Sequence, residues 1–470
     1  MNLADAVSAI RSGPRGSHIP AVFDVAGTVV AGFTPAPAPV RLLRRGDGAA
    51  LTELLRTGIN PGDDETFLRR AEPLLAGRTE EELTTLGEDL FRRTVHAHLY
   101  PEAWQLIREH EAAGHTLILV TALTRFQVEP IAAELGIDYA LCTPMATSGG
   151  VLTGYPAGEP LRGKVKAAAL HDFAAARGID LASGYTYATA ESDLPTLESA
   201  GKPTAVNPAP DLARTADERG WPTLTFRPRK PPKPIDIART AVGFAGLLTG
   251  AALGTASRAT TRDRETMAGA MMTTAADTTL RSTGIRVRIT GEEYARAPRP
   301  AVFLFNHQSQ FDMVVLAEVL RGGFTGIVKQ EVRTNPIFGP LLRFAGATFI
   351  DRSDTASAKA AMAPVVETLR GGLSIVIAPE GTRSMSPRIG PFKKGAFHIA
   401  IEAGVPIIPV VIRNAGEIAW RNSPIVRKGT VDVAVLAPID VREWDRDDMN
   451  TEIEQVRELF TATLRDWPTG

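Results

Sequence analysis

The chain has 470 residues, which is enough for two or three domains that each bury a core. Its hydrophobic fraction of 44%, its charged fraction of 22% and its formal net charge of -1 are those of an ordinary globular protein and give no sign of a nucleic-acid binder. The one cysteine, Cys142, excludes an internal disulfide framework and has no cysteine partner for a thiolate metal site. We interpret it as a small buried hydrophobic residue of a chain in a reducing compartment.

In chain order, the first half alternates apolar strands with helical patterns. Charged side chains interrupt the N-terminal residues before any apolar run forms, so they predict no secretory signal, and we expect an intracellular chain. The runs "AVFDVA" and "TLILVTAL", and later "GIDLASGYTYAT" and "KPTAVNP", predict the strands of a parallel α/β sheet. The helical stretch from about residue 42 to residue 107 is too long for a simple crossover, and it predicts an inserted helical cap.

A connector begins near Phe226. The prolines and charges of "RPRKPPKPID" predict a solvated linker. The stretch 240–256 that follows is uncharged and rich in Gly, Ala and Thr, but it is shorter than the roughly 18–20 apolar residues of a membrane span. Two interpretations stay open: a helix that dips into a bilayer, or a helix that packs on a neighbouring domain through its small residues.

A second α/β pattern follows a polar helix rich in Thr and Met. Its apolar runs are "GIRVRITG", "AVFLFN", "FTGIVK", "TFIDR", "LSIVIAPEGT", "PIIPVVI" and "VDVAVL", and no internal repeat relates them to the first half. We therefore predict three regions: a first α/β domain with a cap over residues 1–228, a connector with helices over 229–283, and a second α/β domain over 284–470.

The strongest chemical pattern in the second half is "NHQSQFD". It places His307 at the end of a predicted strand and Asp312 at the start of the following helix. A histidine can take a proton from a substrate hydroxyl if a carboxylate fixes its tautomer and stabilises the imidazolium that forms. The spacing alone is weak evidence, because a histidine and an aspartate near a turn are more often a packed ring and a helix cap.

Further residues that suit a phosphate lie at the ends of other predicted strands. Arginine presents a fixed fork of donors, and glycine lets the backbone approach a ligand closely. The segment "APEGTRS" follows one strand, "ATFIDRS" contains another, and "GIVKQEV" ends a third. The candidate binding residues from these segments are Glu380, Gly381, Thr382, Arg383, Arg352 and Lys329.

The second half resembles the glycerolipid acyltransferases, most closely the 1-acylglycerol-3-phosphate (lysophosphatidate) acyltransferases. Four blocks match in order over about residues 284–427: "NHQSQFD", "GPLLRFAGATFIDR", "PEGTRS" and "VPIIPV". The resemblance implies that His307, held by Asp312, deprotonates a glycerol hydroxyl, which attacks the thioester of acyl-CoA or acyl-carrier protein. Arg352 and the block from Glu380 to Arg383 would hold the acceptor phosphate, and Lys329 would meet the oxyanion or the CoA phosphates or stay solvated.

The resemblance also implies what the protein works with. The acceptor is a lysophospholipid, the donor is an acyl thioester, and acyl transfer needs no metal or cofactor. Since acceptor and product are lipids, we expect the protein at the cytoplasmic face of a membrane, peripheral or shallowly inserted through about residues 235–260. Four basic residues would attract anionic lipid there: Arg229, Lys230, Lys233 and Arg239.

The first half resembles the haloacid-dehalogenase-like hydrolases, in their phosphoserine-phosphatase-like branch, over about residues 19–226. The matching segments are "FDVAGT" with Asp24, "LILVTAL" with Thr121, "LRGKVKAAAL" with Lys166 or Lys164, and "YATAESDLPTL" with Asp193. In that family the first aspartate attacks phosphorus, a hydroxyl and a lysine hold the phosphoryl oxygens, and further acidic residues hold Mg²⁺.

Two positions depart from the hydrolase pattern. Ala26 stands where the family has its general acid and base, and Thr189 stands where it has a carboxylate ligand of magnesium. We therefore expect little or no hydrolase activity, with Mg²⁺ required only if the domain is active. Two alternatives stay open: a bifunctional acyltransferase and phosphatase, or a first domain that serves as a phospholigand-binding scaffold.

Overall fold

The chain forms two α/β units. The structure, a computed structural model, describes residues 1–32, 75–229, 232–350, 362–383, 388–420, 423–445 and 448–468. Within it the chain divides into Met1–Lys230 and Pro231–Gly470. Much of the predicted cap, residues 42–74, lies outside the described residues, and the region boundaries at 228 and 283 stay predictions.

The first unit is built on a six-stranded parallel sheet in the order β3-β2-β1-β6-β7-β8. Two further strands, β4 and β5, pair antiparallel as a separate hairpin. The strands are β1 Pro20–Phe23, β2 Thr116–Thr124, β3 Tyr139–Thr143, β4 Met145–Ser148, β5 Val151–Pro156, β6 Tyr185–Ala188, β7 Lys202–Val206 and β8 Thr223–Leu224. Cys142 on β3 is half-buried rather than fully buried as predicted, and burial raises the pKa of its thiol.

Seven helices surround this sheet. They are α1 Leu3–Arg11, α2 Glu80–Arg93, α3 Pro101–Ala112, α4 Arg125–Leu135, α5 Gly163–Arg177, α6 Leu194–Glu198 and α7 Pro210–Glu218, as far as the described residues extend. Leu170 and Ala174 of α5 pack against Val22 of β1 and Ile118 of β2, and all four side chains are buried. This packing carries Lys166, near the start of α5, towards the residues that follow β1 and β6.

The second unit is built on a seven-stranded sheet in the order β12-β11-β13-β10-β14-β15-β9. Each strand lies on an apolar run that the sequence predicts as a strand. All neighbours pair parallel except β14 and β15. The strands are β9 Arg286–Thr290, β10 Val302–Phe305, β11 Phe324–Lys329, β12 Thr348–Ile350, β13 Ser374–Ile377, β14 Ile407–Arg413 and β15 Thr430–Val435.

Helices cover both faces of this sheet. Phe303 and Phe305 of β10 join the core on one face, whereas Val302 and Leu304 join the core on the other, as the two-residue period of a strand requires. The helices are α8 Pro234–Ser257, α9 Arg264–Thr283, α10 Glu292–Ala295, α11 Asp312–Leu320, α12 Phe338–Phe344, α13 Met362–Arg370, α14 Gly395–Ala403, α15 Ala415–Ile418 and α16 Asn450–Arg465.

The helices α8 and α9 form a closely packed antiparallel pair. A Cβ atom at Gly250 would lie 2.5 Å from the carbonyl oxygen of Thr274, so a larger residue would push the helices apart. Thr278 on α9 also donates its hydroxyl to the carbonyl oxygen of Gly246 at 2.7 Å. The small residues of α8 therefore pack on a helix of the same unit, whereas the predicted partner was a neighbouring domain.

Candidate functional site

The predicted site residues of the second unit gather at one edge of its sheet. β10, β11 and β13 run parallel, so the residues that follow them lie at the same edge. His307 follows β10, Lys329 ends β11, and Glu380 follows β13. β10 lies at the centre of the sheet, and Val302, Phe303 and Leu304 have no exposed surface, which gives His307 a rigid support.

His307 and Asp312 form a hydrogen-bonded pair. Nδ1 of His307 lies 2.7 Å from Oδ2 of Asp312, which is fully buried, and the same oxygen accepts the backbone N–H groups of Gln308 at 2.8 Å and Ser309 at 2.9 Å. Because an ionised carboxylate only accepts, Nδ1 carries the proton of the neutral ring and Nε2 carries the lone pair. The His307 side chain is 22% exposed, so Asp312 holds the imidazole from the buried side while a substrate can reach its exposed side.

Backbone-directed hydrogen bonds hold the loop that carries this pair. The side chain of Asn306 donates to the carbonyl oxygen of Ile412 at 2.8 Å and accepts the N–H of the same residue at 2.7 Å, which ties the end of β10 to β14. Ser309 donates its hydroxyl to the carbonyl oxygen of Ala419 at 2.8 Å. Neither Asn306 nor Ser309 was a predicted site residue, although both stand inside the "NHQSQFD" block.

The surroundings of Glu380 do not suit the phosphate contact that was predicted for it. Its side chain is buried, and its two oxygens accept the backbone N–H groups of His307 and Gly390, each at 3.0 Å. A carboxylate also repels a phosphate. We therefore interpret Glu380 as a residue that positions His307, with phosphate contact left to the residues that follow it.

The other predicted binding residues lie close to Glu380 or at the same sheet edge. Gly381 has a φ of +74°, which suits glycine, and it is followed by the exposed Thr382 and the half-buried Arg383. Lys329 is exposed at the end of β11. The predicted Arg352 lies outside the described residues.

Three predicted residues of the first unit also meet. Nζ of Lys166 lies 2.6 Å from Oδ1 of Asp24 and 2.7 Å from Oδ1 of Asp193, and all three side chains are buried. The structure selects Lys166 over the exposed Lys164 as the lysine of this cluster. We call Asp24, Lys166 and Asp193 the ion triad.

The ion triad has an excess of negative charge, since two carboxylates face one ammonium group. Burial raises the pKa of Asp24 to about 7, because the lost solvation outweighs the attraction of Lys166. Burial disfavours the charged Lys166, but Asp193 and Asp24 together outweigh that effect and raise its pKa. The ammonium group therefore stays charged, and the excess charge falls on the carboxylates.

The residues around the ion triad do not fit Mg²⁺. Lys166 already lies between the two carboxylates, and the hydroxyl of Thr189, where a third carboxylate would stand, pairs with that of Thr28 at 2.9 Å. Within the described part of the chain, no three His, Cys, Asp or Glu side chains are grouped as metal ligands. Thr121, also predicted here, is buried on β2, where its hydroxyl accepts the N–H of Leu123 at 3.3 Å.

Comparison with known families supports both resemblances drawn from the sequence. Residues 286–413 match the acyltransferase family model, and residues 21–198 match the model of the haloacid dehalogenase-like hydrolases. The predicted fold class, a two-domain α/β chain with a haloacid-dehalogenase-like domain and an acyltransferase domain, is confirmed.

Similar proteins are known for the second unit. The chain is 34% identical over 183 residues to a 1-acyl-sn-glycerol-3-phosphate acyltransferase of Cocos nucifera, over 38% of this chain and 58% of that protein. It is 33% identical over 187 residues to 1-acyl-sn-glycerol-3-phosphate acyltransferase alpha of Homo sapiens, over 40% of this chain and 66% of that protein. The chain thus spans less than two thirds of either relative.

A solved structure is also similar. It is that of a 1-acyl-sn-glycerophosphate (LPA) acyltransferase from Thermotoga maritima, with 21% sequence identity and a TM-score of 0.43. The match covers 50% of this chain and 98% of that one.

Proposed function

We propose that the second unit transfers a fatty acyl group from acyl-CoA or acyl-carrier protein to 1-acyl-sn-glycerol 3-phosphate, giving phosphatidic acid. The observation that carries the proposal is the bond between His307 and the buried Asp312, beside an exposed edge of the imidazole. The names of the relatives that match this unit give the substrate class. Residue by residue, the matched blocks give the roles.

The proton steps follow from the tautomer of His307. Nε2 accepts the proton of the glycerol hydroxyl while the hydroxyl oxygen attacks the thioester carbonyl, and a tetrahedral oxyanion forms. Collapse breaks the carbon–sulfur bond, and the imidazolium returns its proton to the leaving thiolate. Asp312 stabilises the imidazolium between these steps and prevents the ring from rotating.

The remaining predicted residues bind the substrates or position His307. Thr382, Arg383 and Arg352 hold the acceptor phosphate through a hydroxyl and two guanidinium groups. Lys329 lies at the same edge as His307 and meets negative charge on the donor or on the oxyanion. Glu380 and Asn306 keep His307 in place through the backbone contacts described above.

The test is a purified full-length chain, labelled acyl-CoA or acyl-carrier protein, and a panel of glycerol phosphates and lysolipids with the products separated. We expect phosphatidic acid from lysophosphatidate, and we expect His307→Ala to abolish it while the circular dichroism spectrum stays unchanged. A matched control is His171→Ala, an exposed histidine on α5 of the first unit. Transfer that survives His307→Ala would overturn the proposal.

For the first unit we propose a hydrolase fold with little or no hydrolase activity. Ala26 cannot protonate a leaving alkoxide. The ion triad carries a net negative charge, which repels a phosphate, and its residues do not fit the Mg²⁺ that would offset that charge. These observations disfavour the bifunctional alternative and weaken the phospholigand-binding one. Phosphate release from a broad phosphomonoester panel that depends on both Mg²⁺ and Asp24 would contradict the proposal.

For the whole chain we propose contact with the cytoplasmic face of a membrane through the exposed side of α8. The segment Pro234–Thr261 is long and apolar enough to cross a membrane by length and composition, and little of it is buried. Its exposed apolar side chains form the proposed contact surface: Ile235, Ile237, Val242, Phe244, Leu248 and Leu253. We infer shallow insertion rather than a span, because α8 also packs along α9.

Of the four cations expected at this surface, Lys233 is exposed directly before α8. Arg239 is bound to Asp236 at 2.6 Å, and Lys230 lies outside the described residues.

One groove at the C-terminal end of α9 is lined by two carboxylates, Asp277 and Glu318, which both bind Arg321. Three other exposed cations line the same groove: Arg281, Arg286 and Lys428. We expect them to add affinity for anionic lipid.

Vesicle sedimentation tests the membrane proposal. The wild-type chain should bind phosphatidylcholine vesicles, and more of it should bind when phosphatidylglycerol is present. Ile237→Glu/Leu253→Glu should lose binding, whereas Leu459→Glu, at an exposed position on α16, should keep it. Wild-type protein that stays in the supernatant with both vesicle types would contradict the proposal.

A further inference from the structure

A lysine outside the four matched blocks lies against the predicted phosphate-binding loop. A Cβ atom at Gly381 would lie 3.0 Å from both Cε and Nζ of Lys393, so the lysine side chain extends over the space that glycine leaves. The backbone is fixed as well, since the N–H of Lys393 donates to the carbonyl oxygen of Pro379 at 2.9 Å. The fold thus holds Lys393 over the loop, although twelve residues separate it from Gly381 in sequence.

The loop under Lys393 is connected to the segment that carries the reacting pair. Gly381 adjoins Glu380, and Glu380 accepts the backbone N–H of His307 at 3.0 Å. Lys393 is therefore two contacts from the histidine that we propose as the general base.

The ammonium group of Lys393 is available for a ligand. The residue is exposed, and within the described ranges its side chain forms neither an ion pair nor a hydrogen bond. A lysine that only stabilised the loop would bind a carboxylate or a carbonyl there. Glu380, the carboxylate next to Gly381, instead accepts backbone N–H groups with both of its oxygens.

We propose that Lys393 binds a phosphate monoester at the acyl-transfer site. A lysine ammonium group suits a phosphate dianion as a compact point charge, and Gly381 leaves the room in which the Lys393 side chain lies over the loop. The acceptor glycerol phosphate carries such a group, and so does the 3′-phosphate of CoA. The inference rests on the proposed function for the placement of substrates, and its test separates the two.

The test compares Lys393→Met with Lys394→Met, since the two lysines are adjacent and both exposed. With lysophosphatidate varied at saturating donor, Lys393→Met should raise KM about 10-fold and leave kcat nearly unchanged, because one charge-assisted contact is lost. Lys393→Arg should recover most of the affinity, and Lys394→Met should behave as the wild type. High salt should reduce the difference between Lys393→Met and the wild type.

Two further arms identify which phosphate is bound. If KM rises for acyl-CoA but not for acyl-carrier protein, Lys393 binds the CoA 3′-phosphate instead of the acceptor. Calorimetric titration with glycerol 3-phosphate or 3′-phosphoadenosine 5′-phosphate measures binding without turnover. A chain that binds one of these through Lys393 but transfers no acyl group would refute the proposed function and leave the inference standing. Equal KM and Kd values for Lys393→Met and Lys394→Met would overturn the inference.

Discussion

Both units place a buried carboxylate at the edge of a parallel sheet, next to a nitrogen base, but only one of them leaves that base free to act. Asp312 binds Nδ1 of His307 through one carboxylate oxygen. The His307 side chain stays 22% exposed, and its Nε2 takes no part in the bond to Asp312. In the ion triad, Lys166 is only 3% exposed and is bound by two carboxylates. A catalytic group must be held by hydrogen bonds and still be accessible to a substrate. Lys166 is held by two carboxylates but is buried, so it is not accessible.

The comparison also separates two uses of burial. Around His307, burial of Asp312 and Asn306 fixes a geometry while the reacting atom stays accessible. Around Lys166, burial removes solvent from two carboxylates and one ammonium group, which leaves an excess of negative charge and no open side for a substrate.

The largest predicted effect is on the supported pair. Asp312→Asn should keep the geometry, because the amide oxygen can accept the three donors now on Oδ2, and the amide nitrogen would stand where Oδ1 has no partner among the described residues. The lost negative charge should lower kcat for acyl transfer about 10²- to 10⁴-fold with little change in KM. Steady-state kinetics on the folded variant measures this, and a kcat close to that of the wild type would show that the carboxylate does not assist His307.

The next effect is on stability. Lys166→Met should leave two buried carboxylates without their counter-charge and lower the free energy of unfolding of the first unit by about 3–5 kcal/mol. Lys164→Met, two residues away and exposed, should change it by less than about 0.5 kcal/mol. Urea denaturation followed by circular dichroism compares the two variants.

A second substitution separates the effect of unbalanced charge from a general loss of folding. Asp24→Asn in the Lys166→Met background should recover part of the lost stability, because it removes one of the two unbalanced charges. If the double variant is no more stable than Lys166→Met, the ion triad does not act through its charges.

A smaller effect is predicted for pH. Because the folded-state pKa of Asp24 is raised to about 7, above its ordinary value of 3.8, the folded chain binds this proton more tightly than the unfolded chain. The protonated Asp24 therefore contributes its full share to the free energy of unfolding below pH 3.8, and this contribution is lost as the pH rises through 7. Asp24→Asn should thus stabilise the first unit at pH 8, on the order of 1–3 kcal/mol, with the gain vanishing near pH 4. A gain that is the same at both pH values would mean that Asp24 does not titrate in this range.

The smallest predicted effect is that of magnesium. Since the residues around the triad do not fit the ion, millimolar Mg²⁺ should leave the unfolding temperature of the wild-type chain unchanged. Restoring both missing groups with Ala26→Asp/Thr189→Asp should make that temperature rise with Mg²⁺. A rise in the wild type would show that the triad rearranges to bind the ion.

Much of the fold was predictable because apolar periodicity is strong in this chain. All seven strands of the second sheet lie on predicted runs, whereas β3, partly exposed, and the two-residue β8 lack a clear apolar pattern and were not predicted. The order of the strands was not predicted either, because strand neighbours depend on contacts between distant residues.

The candidate site was predictable where a motif fixes both residue type and spacing. His307 and Asp312 follow from one seven-residue block, but the block does not show that Asn306 binds the backbone of β14. Lys166 could not be separated from Lys164 until packing buried one of them. Glu380 was assigned to the acceptor phosphate through its matched block, but its carboxylate accepts the N–H groups of His307 and Gly390. Arg239 was assigned to anionic lipid through its charge, but it binds Asp236.

The most direct test of the account is the rate of phosphatidic acid formation by His307→Ala and by Asp24→Asn, measured side by side in the full-length chain. The account predicts a loss of about 10²- to 10⁴-fold or more for His307→Ala and a rate within about twofold of the wild type for Asp24→Asn. Acyl transfer that persists in His307→Ala, or that disappears in a folded Asp24→Asn, would contradict it.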